Sequence, residues 1–311
     1  MSSTEKIFVR GAGGLAAGLA AAAVAAWLLG VKPDLVLRYV AGVSPWVIAL
    51  CILSALVVLA LQALRWHLIM SPLLGLRYAD AYRALIVGVL FNSILPARGG
   101  DLLRVQYLGR RTGKSRATIL GTEIVDRWLD WWGWIPSFLF LCLLSDPPAW
   151  LYQALGVFGA VLVVWAALMV VLARVSPGGR FAHIWEALRA GIGAFRTRRT
   201  WLVALVIAPL PWLWEAFILT WAGSGFGIEL SLVQAFSVMI AFNLATIVPS
   251  PGAVGTVEVG GTAALLFFGV DQSRALAFMF VYHFSQLLPG IAGGAAVLVA
   301  QGEKLVGTES P

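Results

Sequence analysis

Charge is scarce in this chain of 311 residues. Asp, Glu, Lys and Arg make up 12% of it, against about 25% in a soluble domain. Together with a 60% hydrophobic content and a mean hydropathy of +0.88, that scarcity excludes a soluble globular enzyme, a disordered chain and a nucleic-acid reader. Cysteine is nearly absent. Cys51 and Cys142 lie inside apolar runs, where a thiol behaves as a small buried hydrophobe. No CxxC or Cys/His cluster points to disulfide or metal chemistry. His67, His183 and His283 are far apart and form no zinc signature. There is no Walker loop, so ATP hydrolysis within the chain is not expected. On this reading catalytic residues, metal and cofactor are all none.

What the chain has in quantity is long apolar sequence. A hydrocarbon layer about 30 Å thick needs about 20 apolar residues per helix. Runs at 11–30, 46–70, 118–145, 150–173, 200–222 and 275–300 are read as six full spans. Lys6 and Arg10 ahead of the first run give it the look of a signal peptide. Lys32-Pro33-Asp34 makes a poor cleavage site, so the run is read as a retained helix.

Two further apolar runs, 83–96 and 235–249, are too short to span. Each holds an asparagine, Asn92 or Asn243, and ends at a proline, Pro96 or Pro249. A glycine-containing turn and a second moderately apolar stretch follow each, at 99–112 and 255–270. The pattern predicts helix–break–helix hairpins that enter the membrane and leave on the same side, since irregular backbone at that depth is tolerated only inside protein or beside water. A pair of buried short helices is the alternative. The two regions resemble each other: Pro96 matches Pro249, and Ser115-Arg116-Ala117 matches Ser273-Arg274-Ala275.

Basic residues set the orientation. Residues 97–116 hold six, against the single acid Asp101, and residues 174–199 hold six more, against Glu186. These loops carry twelve of the 22 Lys and Arg, so both are expected on the cytoplasmic side. The loops near Asp146 and Glu229 lack basic residues and are expected outside, as is loop 31–45 despite its Lys32 and Arg38. Net charge +7 thus reads as topology. Both termini fall inside, and the two hairpins enter from opposite sides, which is an inverted repeat. The fold class expected is an all-α polytopic membrane protein, with about six full spans plus two oppositely oriented re-entrant helical hairpins. It is one transmembrane domain over 1–311. Residues 46–173 form a first half with hairpin 83–112, and 200–300 a second half with hairpin 233–270. The linker 174–199 includes a stretch, 178–197, whose apolar positions 181, 184, 185, 188, 192 and 195 share a helical face. It is read as an amphipathic helix on the anionic inner leaflet, or equally as a solvated connector.

Ionisable residues within apolar runs are functional candidates. Glu123, Asp126, Arg127 and Asp130 share one helix face by spacing. Glu123 and Arg127 make a favourable pair, whereas Asp126 and Asp130 repel, so one of them is expected to find a cation or a proton. They form either an interfacial charge cluster or the lining of a polar cavity. Around Pro96, the residues Arg98, Gly99, Gly100, Asp101 and Arg104 offer a glycine turn at a helix start, a setting that favours an anion such as phosphate. Arg104 is expected either to lock to Asp101 or to share that anion, and both arginines could instead only set topology. In the second half Gly252 and Glu258 are the counterparts, with Glu258 expected to meet a cationic head group, an arginine or a proton. Glu215 and His283 are candidates for proton or charge coupling, although a lone histidine is more often a packing residue. Asn92 and Asn243 either satisfy broken backbone or bind substrate.

These stretches resemble the integral-membrane region of the lysylphosphatidylglycerol synthase/flippase family. The matching residues are Leu64-Arg65-Trp66, Phe91-Asn92 through Leu95-Pro96, Arg98 through Arg104, Glu123 through Asp130, and Pro249-Ser250-Pro251-Gly252 with Gly255 and Glu258. The resemblance implies a bacterial inner-membrane protein that moves a phospholipid or a lipid-linked anionic head group between leaflets. Few residues follow the last span, so the family's aminoacyl-transferase domain is not expected, and the lysylated lipid is not carried over as cargo. Membrane lipids are the implied partners, with lipid-synthesis enzymes and a second copy of the chain as further candidates. Arg98, Arg104 and Arg127 would draw in the phosphate, and Glu123, Asp130 and Glu258 would balance charge or exchange protons. The competing reading is a membrane-embedded transferase or hydrolase, with Asp126 and Asp130 as metal ligands or Glu123 as a base. A scaffold for lipid synthesis is a third.

Overall fold

A computed structural model describes residues 32–95, 98–144, 146–175, 182–193 and 198–301, and among them the regular structure is helical throughout. The helices are α1 (Pro33–Gly42), α2 (Pro45–Leu74), α3 (Tyr78–Asn92), α4 (Gly99–Thr112), α5 (Arg116–Trp132), α6 (Trp134–Cys142) and α7 (Ala149–Arg174). They continue with α8 (Ala182–Ile192), α9 (Arg198–Ile207), α10 (Leu210–Ser224), α11 (Leu232–Ala245), α12 (Thr256–Phe267) and α13 (Gln272–Gln301). A short 3-10 turn, Pro251–Ala253, precedes α12.

Four segments are long and apolar enough to cross a membrane: Pro45–Leu74, Ala149–Leu172, Leu202–Ser224 and Gln272–Ala300. At 1.5 Å per residue, a 30-residue helix such as α2 or α13 rises about 45 Å, more than the hydrocarbon layer requires. Leu202–Ser224 joins α9 to α10 through Ala208-Pro209, where proline withholds a backbone donor. The expected span 11–30 lies outside the described residues. The expected span 118–145 comprises two consecutive helices, α5 and α6, meeting at Gly133, which itself keeps helical φ and ψ while the Ser137 amide donates to its carbonyl at 3.3 Å. A Cβ at Gly133 would collide with the Ala208 carbonyl, so glycine here lets another backbone pack against the junction. The loop expected at 31–45 holds α1, with Pro33 at its first turn, a position that suits proline.

Two compact units are present. Among the described residues, one draws on 32–56, on 86–103 and on 215–301; the other on 57–85 and 104–214. In the first unit α12 packs on α11 and α13, and α1 on α13. The Lys32 amide donates to Ser273 Oγ at 3.2 Å. Helix α11 opens with a Ser231/Gln234 capping box, which satisfies orphan amides at its start. The end of α3 sets Val89 and Leu90 against Gly290 and Gly294 of α13; small residues let membrane helices approach this closely.

In the second unit α5 buries Ile119, Val125 and Leu129 together with Thr122, Glu123, Asp126 and Asp130. Helix α8 packs on it. A Cβ at Gly121 would stand 2.8 Å from the Gly191 Cα, and one at Gly191 equally close to the Gly121 Cα. The two glycines therefore allow a backbone contact that any side chain would block. Leu188 and Ile192 join a core of Ile69, Val125, Leu129 and Ala204, while Ile184 remains exposed. The helix expected on the leaflet surface thus directs part of its apolar face into the protein.

Candidate functional site

The first unit contains a cavity of about 550 Å³. The two helix breaks supply much of its wall: Asn92, Ser93 and Arg98 from the first, and Asn243, Thr246, Ser250, Gly252 and Ala253 from the second. Glu215 of α10 and Tyr282, His283 and Gln286 of α13 complete its polar lining, with Val89, Phe242 and Leu287 among the apolar members. The breaks meet. A Cβ on Gly252 would lie 3.4 Å from the Ser93 Cα and carbonyl.

Each break is held by its own side chains. In the first, Asn92 Oδ1 accepts from the Gly100 amide at 2.8 Å, and Asn92 Nδ2 donates to Asp101 Oδ1 at 3.0 Å. A Cβ at Gly100 would strike the Gly88 carbonyl, so only glycine lets α4 begin against α3. Arg98 has φ of 56°, a left-handed conformation that costs a non-glycine residue about 1–3 kcal/mol. Its Nε lies 3.6 Å from Asp101 Oδ2, and its side chain is 60% exposed. Its position, ahead of a helix start and on the cavity wall, is one where the helix amides and dipole favour negative charge.

In the second break Gly252, Ala253 and Gly255 all have positive φ. Glu258 reaches back so that its Oε2 accepts from the Gly255 amide at 2.7 Å. Its Oε1 lies 2.7 Å from His283 Nδ1, and both residues are buried. Of the partners expected for Glu258, none was this histidine. His283, expected as a packing or a coupling residue, is paired with Glu258 and lines the cavity. Tyr282 Oη donates to Glu215 Oε1 at 3.2 Å. Asn243 Nδ2 donates to its own helix at Met239 O, 2.9 Å away. Asn92 therefore holds the backbone of its break, whereas Asn243 bonds within its own helix; both line the cavity.

The second unit holds a buried ionic cluster. Arg65 donates from Nε to Asp126 Oδ1 at 2.8 Å and from Nη1 to Asp130 Oδ1 at 2.7 Å. Arg104 donates to Glu123, and its Nη2 lies 4.0 Å from Asp126 Oδ2. Arg127 donates to Glu123 Oε1 at 2.9 Å and stands 3.7 Å from Asp130 Oδ2. The Arg104 guanidinium lies 4.6 Å over the Trp66 ring, a cation–π geometry, and Trp66 Nε1 donates to Thr122 Oγ1. Three cations meet three anions, as burial demands. The Glu123–Arg127 pair falls where spacing put it. The repulsion between Asp126 and Asp130 is relieved by Arg65, a residue not singled out as functional. The signal was there: Arg65 is a charge within a strongly apolar run. With both carboxylates turned to a guanidinium, the pair is a poor cation site. Among the described residues no three His, Cys, Asp or Glu side chains group to hold a metal ion. Arg98 and Arg104, expected to act together, have different settings: Arg98 lines the cavity, and Arg104 is fully buried in the cluster.

Comparison with known proteins places these features in a lineage. A family model described as the lysylphosphatidylglycerol synthase TM region matches residues 15–294. Two proteins of Methanothermobacter thermautotrophicus, each named a UPF0104 membrane protein, are similar over most of their lengths. One is 22% identical over 294 residues, covering 82% of this chain and 85% of the relative. The other is 23% identical over 276 residues, covering 79% and 81%.

Proposed function

From the premise that the chain belongs to the lysylphosphatidylglycerol synthase TM-region family, we propose that it is a lipid flippase. It moves a phospholipid or lipid-linked anionic head group between the leaflets of a bacterial inner membrane, and it acts as a transporter with no enzymatic step of its own. In this reading the α3–α4 and α11–α12 pairs are re-entrant hairpins of an inverted repeat, entering from opposite sides among six full spans. The halves and linker divide at 46–173, 174–199 and 200–300, and both termini are cytoplasmic.

The observation that carries the reading is the cavity where the two breaks meet. Moving a phosphate through hydrocarbon without a partner costs far more than thermal energy supplies. A charge-assisted hydrogen bond from arginine offsets about 1.5–3 kcal/mol of that, and Arg98 is the cation on the cavity wall. The asparagines and hydroxyls around it can take over hydrogen bonds that water gave the head group, while acyl chains remain in lipid.

The test is leaflet exchange of labelled phospholipids and polyprenyl phosphates in proteoliposomes. Wild-type protein should exchange an anionic lipid above the rate in empty liposomes. Arg98→Ala should slow exchange about tenfold, the equivalent of 1.4 kcal/mol, and Arg98→Lys should restore part of the loss. Absence of exchange for every anionic, zwitterionic and polyprenyl lipid, with and without a pH gradient, would move the reading to an enzyme or a scaffold.

A further inference from the structure

The second unit has a pocket of its own, which shares no residue with the ionic cluster. It measures about 640 Å³ and lies between the turn joining α4 to α5 and the first turns of α8. Lys114, Ser115 and Arg116 line it from the turn, and His183, Ile184 and Ala187 from α8. Two fixed cations and an imidazole thus face one space. Among the described residues no carboxylate lines it, and Glu186, the acid of α8, is not part of the wall.

The backbone holds these cations in place. Gly113 turns the chain from α4 into α5 with φ of 68°, and the Arg116 stem crosses Gly109, where a Cβ would stand 2.6 Å from the Arg116 Cγ. A guanidinium carries five N–H donors, so contacts within the protein do not exhaust it. The matching arginine of the second half is used differently. Arg274 donates from Nη1 to the Gly227 carbonyl at 3.1 Å and lies 5.3 Å over the Tyr39 ring; it closes a contact, whereas Arg116 lines a cavity. The depth of the pocket is also marked. Helix α8 follows the apolar segment Ala149–Leu172, and Trp185 Nε1 donates to the Val175 carbonyl at 2.6 Å, which fastens α8 beside the end of that segment. Tryptophan favours the membrane–water boundary. Ile184 lines the pocket and is 47% exposed. A cationic pocket with an apolar rim at this depth suits a phosphate that carries a hydrocarbon tail better than one free in water.

We propose that this pocket binds the head group of an anionic phospholipid from the leaflet it faces. Lys114 and Arg116 donate to the phosphate, His183 adds a ring N–H in either tautomer, and Ile184 meets the first carbons of an acyl chain. This is a lipid site separate from the cavity assigned to the cargo, and it stands whether or not lipid crosses there. On the proposed topology the leaflet is the cytoplasmic one, whose anionic lipids attract basic segments close to the membrane. A lipid seated in the pocket joins the α4–α5 turn to α8.

The experiment is native mass spectrometry of the full chain in neutral detergent, titrated with short-chain phosphatidylglycerol and, separately, short-chain phosphatidylcholine. Wild type should show a binding step that prefers phosphatidylglycerol. Lys114→Ala should weaken that step about fivefold, the weight of one cation at an anionic surface, and adding Arg116→Gln should weaken it further. Ala187→Trp fills the pocket and leaves every charge in place; it should remove the step. Arg98→Ala, in the other cavity, should keep it. Lys114 and Arg116 are exposed, so their variants carry the test if Ala187→Trp does not fold. A preference that survives in both the Lys114/Arg116 and the Ala187 variants overturns the proposal, as does equal retention of the two lipids by wild type. A step lost only in Arg98→Ala overturns it too and leaves the cargo reading standing. Inorganic phosphate is the third probe: displacement of the lipid by phosphate at a matching concentration assigns the pocket to a soluble anion and overturns the lipid, and no displacement supports it.

Discussion

Arg65 shows how much can hang on a single side chain. It is 1% exposed and neutralises Asp126 and Asp130 at once. Removing one partner from a buried ionic set costs about 3–5 kcal/mol, because the remaining charges keep their desolvation penalty. Arg65→Ala should therefore lower the thermal unfolding midpoint in a fixed detergent by many degrees. Adding Asp126→Asn to it restores a balance of two cations and two anions and should recover a large part of that loss. A double variant no more stable than the single one would show that packing around the guanidinium, and not charge balance, sets the cost. Arg65 was visible as a charge in the run 46–70, yet its partners lie 61 and 65 residues away. Local spacing found Glu123 with Arg127; it has no means of finding a partner on another helix. His283 and Glu258, 25 residues apart, escaped for the same reason.

At the scale of elements, apolar runs and their punctuation were legible to within a few residues. The run 46–70 is α2, 150–173 is α7, 275–300 is α13, and both short runs end at breaks. What periodicity missed were contacts made from outside the segment. The run 118–145 divides at Gly133, three residues before Pro136, and the Ala208 carbonyl packs against that glycine, a neighbour that no property of the run itself discloses. Likewise the face shared by residues 184, 188 and 192 was legible, but not its partner. The α5–α8 contact depends on Gly121 and Gly191. Gly191→Leu should force α8 off α5 and destabilise the fold by several kcal/mol, as overpacking without room to relax does. Increased protease cleavage across 182–193 would report that detachment, and an unchanged cleavage pattern would mean that α8 is held by other contacts.

For the whole molecule, sidedness is the property with the least structural content, since it rests on loop charge alone. On the proposed topology Lys114 faces the cytoplasm and Glu229 the opposite side. Single cysteines placed there in a background lacking Cys51 and Cys142 should react with an impermeant maleimide from opposite faces of oriented vesicles. Labelling of both from one face would invert the hairpin assignment. The convergence of Asn92, Arg98, Asn243, Gly252, Glu215 and His283 on one cavity was legible as a list of residues but not as a place, because contact between the breaks is a tertiary fact. The ionic cluster has one more consequence. A resting potential exerts about 2.3 kcal/mol per 100 mV on each unit charge carried across the membrane. Arg65, Arg104 and Arg127 against Glu123, Asp126 and Asp130 sum formally to zero. Displaced as a body, that set would feel almost no net force from the transmembrane voltage. Gating current would have to come from the cargo and from whatever ion accompanies it.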